Sequence, residues 1–211
     1  KIYVSQKSGA GWNDPKPLPF QKEKINYVHP ALSADGNTLY FSCNDPEGWG
    51  GYDLYAVQRN LKSENGWDIP KLLSRNLNTP GNEIFPTVDA DTLYFASDGL
   101  PGMGGFDIFR TYKAERNSWA PPINLKSPAN SGADDFSFLV TQGPAKNSGK
   151  SPGDLIRSGF FTSNRSNENA RGGDDGQTLA GHHSPDRDAT IGGPRPRACD
   201  GCGAPPRLRA D

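Results

Sequence analysis

Short runs of alternating apolar and polar residues recur through the first two-thirds of this chain, each bounded by glycine, proline, asparagine or aspartate. Thr38-Leu39-Tyr40-Phe41 is followed by Tyr52-Asp53-Leu54-Tyr55, and Thr92-Leu93-Tyr94-Phe95-Ala96 by Phe106-Asp107-Ile108-Phe109. Aromatic and β-branched residues at period two predict half-buried strands. Leu39 and Phe41 then share one face of their strand, with Tyr40 on the other. The connection Ser97-Asp98-Gly99-Leu100-Pro101-Gly102-Met103-Gly104-Gly105 excludes a helix. Ile2-Tyr3-Val4 and Pro30-Ala31-Leu32 predict two further short strands. Ala34-Asp35-Gly36-Asn37 predicts a tight hairpin turn, where Gly and Asn take left-handed backbone at low cost.

These runs repeat. Tyr40, Phe41, Gly50-Gly51 and Asp53 return 54 residues later as Tyr94, Phe95, Gly104-Gly105 and Asp107. A Trp-Pro-Leu signature occurs three times with one internal spacing: Trp12, Pro15, Leu18; Trp67, Pro70, Leu73; Trp119, Pro122, Leu125. The tryptophans lie 55 and 52 residues apart, close to the roughly 40–50 residues of a propeller blade. The expected fold is all-β: a partial β-propeller of four-stranded antiparallel blades with a disordered C-terminal tail. Residues 1–25 would be the outer strands of a preceding blade, 26–78 and 79–130 two blades, and 131–175 an incomplete blade with a loop insertion at 142–154. After Gly172-Gly173-Asp174-Asp175 the next strand is due and does not come. Residues 176–211 lack alternation and aromatics, and read as a disordered or foreign tail. An open meander or a sandwich is the competing architecture. The long period and the recurring Trp disfavour it.

Composition narrows the classes. Of 211 residues only 33% are hydrophobic, while Gly numbers 25 and Pro 19, which is too turn-rich for a helical protein. A net charge of -1 gives no basic surface for nucleic acid. No apolar run reaches membrane-spanning length. Lys1 is not an initiator methionine, so the chain reads as a piece of a longer precursor. Cys43 stands alone and Cys199 and Cys202 form one CxxC, which is no disulfide framework.

The phrases HPALSADGNTLYFSCN, GGYDLY, NEIFPTVDADTLYFASDG and GGFDIF resemble WD40-like propeller repeats of TolB type. The closest resemblance is to the version found in OmpA-family outer-membrane lipoproteins of Bacteroidota, a family that includes a component of the type IX secretion system. It covers Lys1 to about Asp175. It implies a propeller in the periplasm, associated with the outer membrane, beside helical repeats and a peptidoglycan-binding domain. Neither neighbour is present in these residues, so peptidoglycan binding is not carried over.

Candidate chemistry is sparse. Asp53 and Asp107 follow a glycine pair at a strand start, where a carboxylate can fix a turn. Recurrence in each blade argues against catalysis, which wants one asymmetric constellation. Asn44, Asp45, Glu47, Asp98 and Asp174-Asp175 are oxygen-rich, yet none has EF-hand spacing, and they read as solvated turns rather than a calcium site. Trp12, Trp67 and Trp119, one per blade, read as packing between sheets. Trp49 and Met103 occupy equivalent places before the glycine pairs; they either fold over the neighbouring blade or face a partner. Glu47, Trp49, Leu100 and Met103 form the variable tips of one rim, the candidate partner-binding residues. His29 has no companion nucleophile and reads as packing or a hydrogen bond. Cys43 reads as a small buried residue. His182, His183, Cys199 and Cys202 are spaced too loosely for a zinc site. No cofactor, metal or catalytic residue is expected.

The leading expectation is a non-enzymatic periplasmic propeller that binds a protein or a cell-envelope component. It would be part of an outer-membrane-associated secretion or peptidoglycan-linked assembly. One alternative is the propeller of a peptidase or glycan-active hydrolase whose catalytic residues lie elsewhere. Another is a carbohydrate-binding propeller anchored by Trp49.

Overall fold

The computed structural model describes residues 1–114, 118–140, 158–166 and 177–182, the last run by its backbone alone. The expected insertion at 142–154, the GGDD phrase at 172–175 and residues 183–211 lie outside the described residues. Among the described residues there is no helix. Two small pairs come first: β1 (Tyr3–Val4) with β4 (Lys16–Pro17), and β2 (Lys7–Ser8) with β3 (Gly11–Trp12). Sheet I runs β5 (Tyr27–Leu32), β6 (Thr38–Cys43), β7 (Asp53–Gln58), β8 (Lys71–Leu72). Sheet II repeats it as β9 (Glu83–Asp89), β10 (Thr92–Ser97), β11 (Asp107–Tyr112), β12 (Ile123–Asn124). Sheet III comprises β13 (Asp135–Val140), β14 (Ser158–Ser163) and β15 (Gln177–His182). Within sheets I, II and III every pairing is antiparallel between neighbours in sequence, the pattern short turns enforce.

β15 corrects one expectation. The third strand of the last unit does arrive, as Gln177–His182, inside the stretch read as tail. It pairs with β14 from Ser158↔His182 to Ser163↔Gln177. The open edge of β14 presents backbone N–H and C=O groups that any extended segment can satisfy. Backbone pairing therefore needs none of the aromatic alternation by which the earlier strands were recognised.

The sheets pack face to face in chain order, and a core lies at each contact. Tyr40, Leu54, Leu73 and Leu77 of the first unit meet Leu93, Phe95 and Phe109 of the second. Tyr94, Ile108, Leu125 and Ala129 then meet Phe138 and Phe161. Burying one such side chain contributes about 1.5–3 kcal/mol, so the contacts between sheets, not the sheets alone, hold the array. The other face of sheet I, Leu39, Phe41, Cys43, Tyr55 and Val57, is covered by Ile2 and Leu18.

A side-chain amide clamp recurs three times, buried at Asn78 and Asn130 and partly buried at Gln21. Asn78 Oδ1 accepts the Leu54 N–H at 2.7 Å and its Nδ2 donates to the Leu54 carbonyl at 3.1 Å. Asn130 does the same to Ile108, both at 2.8 Å. Gln21 does it to Ile2, both at 2.7 Å. Leu18, Leu73 and Leu125 each donate an N–H to the carbonyl so clamped. Ile2 thus holds the place of Leu54 and Ile108, and β1 the place of β7 and β11.

Each first strand carries a bulge. Register shifts fall between Val28 and Ala31, between Ile84 and Thr87, and between Phe136 and Leu139. At the bulge His29, Phe85 and Ser137 adopt φ of 52°, 51° and 56°. Bulky residues rarely take that conformation, and a bulge is where it re-aims side chains. Here the rings stack along the first strands, His29 on Phe85 at 3.7 Å and Phe85 on Phe136 at 5.3 Å.

Candidate binding rim

At one end of the array the glycine-rich loops 44–52 and 98–106 interlock with the segments that enter sheets II and III. Asp53 and Asp107 are fully buried. Asp53 Oδ2 accepts the Trp49 and Gly50 N–H groups at 2.8 and 3.1 Å. Asp107 Oδ2 accepts those of Met103 and Gly104 at 2.6 and 3.0 Å. Both carboxylates fold a loop back on itself. The other oxygen of each, Oδ1, is buried without a hydrogen-bond partner.

The glycine pairs have a different cause, the close approach of the next unit. A Cβ on Gly50 would sit 2.3 Å from the Thr79 carbonyl oxygen, and one on Gly104 would sit 2.1 Å from that of Ala133. Only glycine lets the two backbones meet there. The contact is then fastened by a relay. Asn82 Oδ1 accepts the Tyr52 N–H at 3.1 Å, and Asp98 accepts the Asn82 N–H and Nδ2 at 2.6 and 2.8 Å. One unit on, Asp134 Oδ1 accepts the Phe106 N–H at 2.9 Å. Asn164 accepts the Asp134 N–H at 2.7 Å and donates from Nδ2 to Asp134 Oδ2 at 2.9 Å.

Acids at the strand starts are also occupied. Glu83, fully buried, accepts Thr79 N–H, Thr79 Oγ1 and Ser97 Oγ at 2.7–2.8 Å. Burial pushes its carboxyl above the usual range, against those bonds. Asp135 accepts Ser131 N–H and Oγ, and its other oxygen takes the Arg165 guanidinium. Arg165 also donates to the Pro128 and Ala129 carbonyls. Asp45 is buried rather than solvated; although burial opposes it, the Lys22 ammonium at 2.7 Å holds its carboxyl below the usual range.

The four candidate rim residues differ in exposure. Met103 is 52% exposed. Glu47 is exposed, with the Lys22 ammonium 3.5 Å away. Trp49 is half-buried under the Arg75 guanidinium, 4.9 Å from its ring, beside a cavity of about 410 Å³. Leu100 turns inward onto the core between sheets I and II. Of the four residues, Glu47 and Met103 are thus exposed, Trp49 is half-buried and Leu100 is partly buried against the core.

Trp67 and Trp119 are half-buried and bridge back to Arg59 and Lys113. Trp119 meets Tyr40 edge-on at 6.0 Å, and Trp67 meets Phe20 at 6.2 Å. Trp12 departs from the expected packing role and is 72% exposed. Among the described residues no earlier sheet supplies the ring that covers its two counterparts. His29 accepts the Phe85 N–H at 3.4 Å, and burial lowers its pKa. Cys43 is buried, which pushes its thiol up to about 11 and leaves it inert. Among the described residues no three His, Cys, Asp or Glu side chains converge as a metal site.

The sequence reading did not single out Gln21, Asn78, Asn130, Glu83 or Asp135. A signal existed for two of them: Asn78 and Asn130 lie at one spacing after Trp67 and Trp119. Gln21 lies at another, so the same clamp is hidden in the first unit.

Comparison with protein-family models finds no match, and comparison with curated proteins finds none. Among solved structures the chain is similar to the crystal structure of a thermostable family-43 glycoside hydrolase, at a TM-score of 0.47 and 12% identity. The match covers 80% of this chain and 58% of that one, so this chain spans little more than half its length. At that level the likeness assigns no activity to these residues.

Proposed function

We propose that this chain is a non-enzymatic β-propeller module of the bacterial periplasm, associated with the outer membrane, and that it binds a protein or cell-envelope component through the rim. The observation that carries the reading is the contrast between frame and tips. Asp53 and Asp107 fix the loops, the glycine pairs and the Asn82 and Asp134 relays lock each loop to the next unit, and the tips then differ. One unit presents Pro46-Glu47-Gly48-Trp49, the other Leu100-Pro101-Gly102-Met103. A rigid frame with variable exposed tips suits recognition, because little order is lost on binding. The resemblance to outer-membrane lipoprotein repeats supports the compartment.

The test is retention of proteins and glycans from a bacterial envelope extract on the immobilised chain, with Met103→Asp and Glu47→Lys compared against the wild type. Both side chains are exposed, so the fold is kept. A specific partner should lose about tenfold in affinity, the roughly 1.4 kcal/mol of a modest interface residue. Retention indifferent to both substitutions removes the rim from the reading.

A further inference from the structure

We propose that Trp49 and Arg75 form a binding site for a carboxylated sugar, a single pyranose ring bearing one carboxylate, at the junction of the first two units. This deepens the rim reading, on which it rests, by naming one class of cell-envelope ligand.

The site is a cavity of about 410 Å³ lined by Gly48, Trp49, Arg75, Asn78, Thr79 and Pro80. Its walls come from the loop before β7 and from the connection between sheets I and II, and every lining residue is described. Both walls are tied to one strand. The Trp49 N–H is held by Asp53 at the start of β7. Arg75 stands in a turn closed by the Leu77 and Asn78 N–H groups on the Ser74 carbonyl, and Asn78 clamps Leu54 of β7. The pocket is therefore built before a ligand arrives, and little order is lost in filling it.

The lining has donors to spare. Arg75 is exposed, with its guanidinium 4.9 Å from the Trp49 ring. Among the described residues no acceptor takes its guanidinium N–H groups, and none takes the Trp49 indole N–H. The side-chain acceptors of the lining are engaged: Asn78 Oδ1 by the Leu54 N–H, Thr79 Oγ1 by the Gly81 N–H. A guanidinium and an indole donate and do not accept. The partner that fits is thus an acceptor, and beside an unpaired cation it is an anion. A guanidinium stacked on a ring keeps its in-plane N–H fork, which matches the two oxygens of a carboxylate.

The rest of the pocket selects what carries the carboxylate. Trp49 and Pro80 supply an apolar wall against which the C–H face of a pyranose can lie. Sugar hydroxyls accept as well as donate, so one of them can take the indole N–H. A peptide C-terminus brings the same carboxylate together with amide N–H groups, for which the lining keeps no free side-chain acceptor. The volume lies near the small end of the roughly 300–1,000 Å³ of small-molecule sites, which suits one ring. The pair is also particular to this junction. Counted from Asp107 and Asn130, the second unit has Met103 in the place of Trp49 and Ser127 in the place of Arg75. The frame is repeated there without the indole or the cation, so blade architecture does not account for them.

The experiment is titration of the isotope-labelled full chain with sodium glucuronate, followed by NMR at the indole N–H signals of its 4 tryptophans. Trp49 is identified by the signal that Trp49→Phe removes. Glucose, acetate and N-acetyl-dialanine, a peptide with a free carboxylate, are the comparison ligands at one ionic strength. Glucuronate should move the Trp49 signal saturably and leave that of Trp12 in place. Its affinity should exceed those of glucose, acetate and the peptide by at least about tenfold, the scale of a lost hydrogen bond to a charged group. Arg75→Gln should bring glucuronate down to the level of glucose with the thermal transition unchanged, because Arg75 is exposed. No saturable shift at Trp49, an equal response to glucose, acetate or the peptide, or undiminished binding by Arg75→Gln would each overturn the proposal. Retention of envelope partners is read through Met103 and Glu47, so a lost sugar site and a lost rim are separate results.

Discussion

Replacing Asn78 by alanine should be among the most damaging small substitutions in the chain. Asn78 is 3% exposed. Its side chain accepts the Leu54 N–H and donates to the carbonyls of Leu54 and Leu73, the last at 3.2 Å. Leu54 itself is 1% exposed, so water cannot replace what is lost. Leaving the Leu54 N–H unpaired costs about 1–3 kcal/mol, and each weakened carbonyl bond about 0.5–1.5 kcal/mol. The Leu54 carbonyl keeps the Leu73 N–H at 2.9 Å, which favours the lower half of its range. The sum is about 3–4 kcal/mol, a large share of the roughly 5–15 kcal/mol that holds a domain folded. In urea, with a slope of roughly 2 kcal/mol/M, the midpoint should fall by about 1.5–2 M. Asn130→Ala should come close to it, since Asn130 is 1% exposed and makes the same two bonds to Ile108, its third going to the Asn124 side-chain oxygen instead of a backbone carbonyl. Gln21→Ala should cost less, because its bonds are only partly buried. A midpoint shift for Asn78→Ala no larger than for Gln21→Ala, at unchanged slope, would refute the clamp as a structural element.

Two further outcomes follow from the same geometry. Gly104→Ala drives a methyl to 2.1 Å from the Ala133 carbonyl, backbone against backbone; sheets II and III must separate, and hydrogen exchange should rise at Asp135 and Ile108 before other core amides. For His29, the folded-state pKa lies below its ordinary 6.5, because burial disfavours the imidazolium. Its contribution to stability is therefore present above pH 6.5 and lost as pH falls through the lowered value. His29→Phe, which copies Phe85 and its φ of 51°, should remove that loss, so the two melting temperatures should converge at pH 7 and diverge towards pH 5. Identical acid sensitivity in both proteins counts against the assignment.

Much of the frame was legible before any fold was known. The alternation of Thr38 to Phe41 and Thr92 to Ala96 placed β6 and β10. Recurrence of Asp53 as Asp107 pointed to turn architecture, and the two carboxylates do hold loops. Alternation could not find β15, whose place depends on the free edge of β14. Nor could it tell that Leu100 folds inward while Met103 stays out, although both belong to one apolar tip. Trp12, Trp67 and Trp119 look equal in sequence. They differ because exposure depends on what neighbouring segments supply, and among the described residues no ring stands to Trp12 as Tyr40 stands to Trp119 or Phe20 to Trp67.

The sequence by itself determined the central strands of the two full units, the period at which they recur and where their turns must be glycine. Those properties follow from local sterics and from a period of two, which are written residue by residue. The tertiary structure decided what the repeated polar residues hold. Asn78 reaches a strand 24 residues away, and Asn82 reaches Tyr52 across 30. It also decided which apolar side chains of the described residues stay exposed, Phe160 and Leu139 among them. Such pairings depend on sheets stacked in space, and no local pattern encodes them.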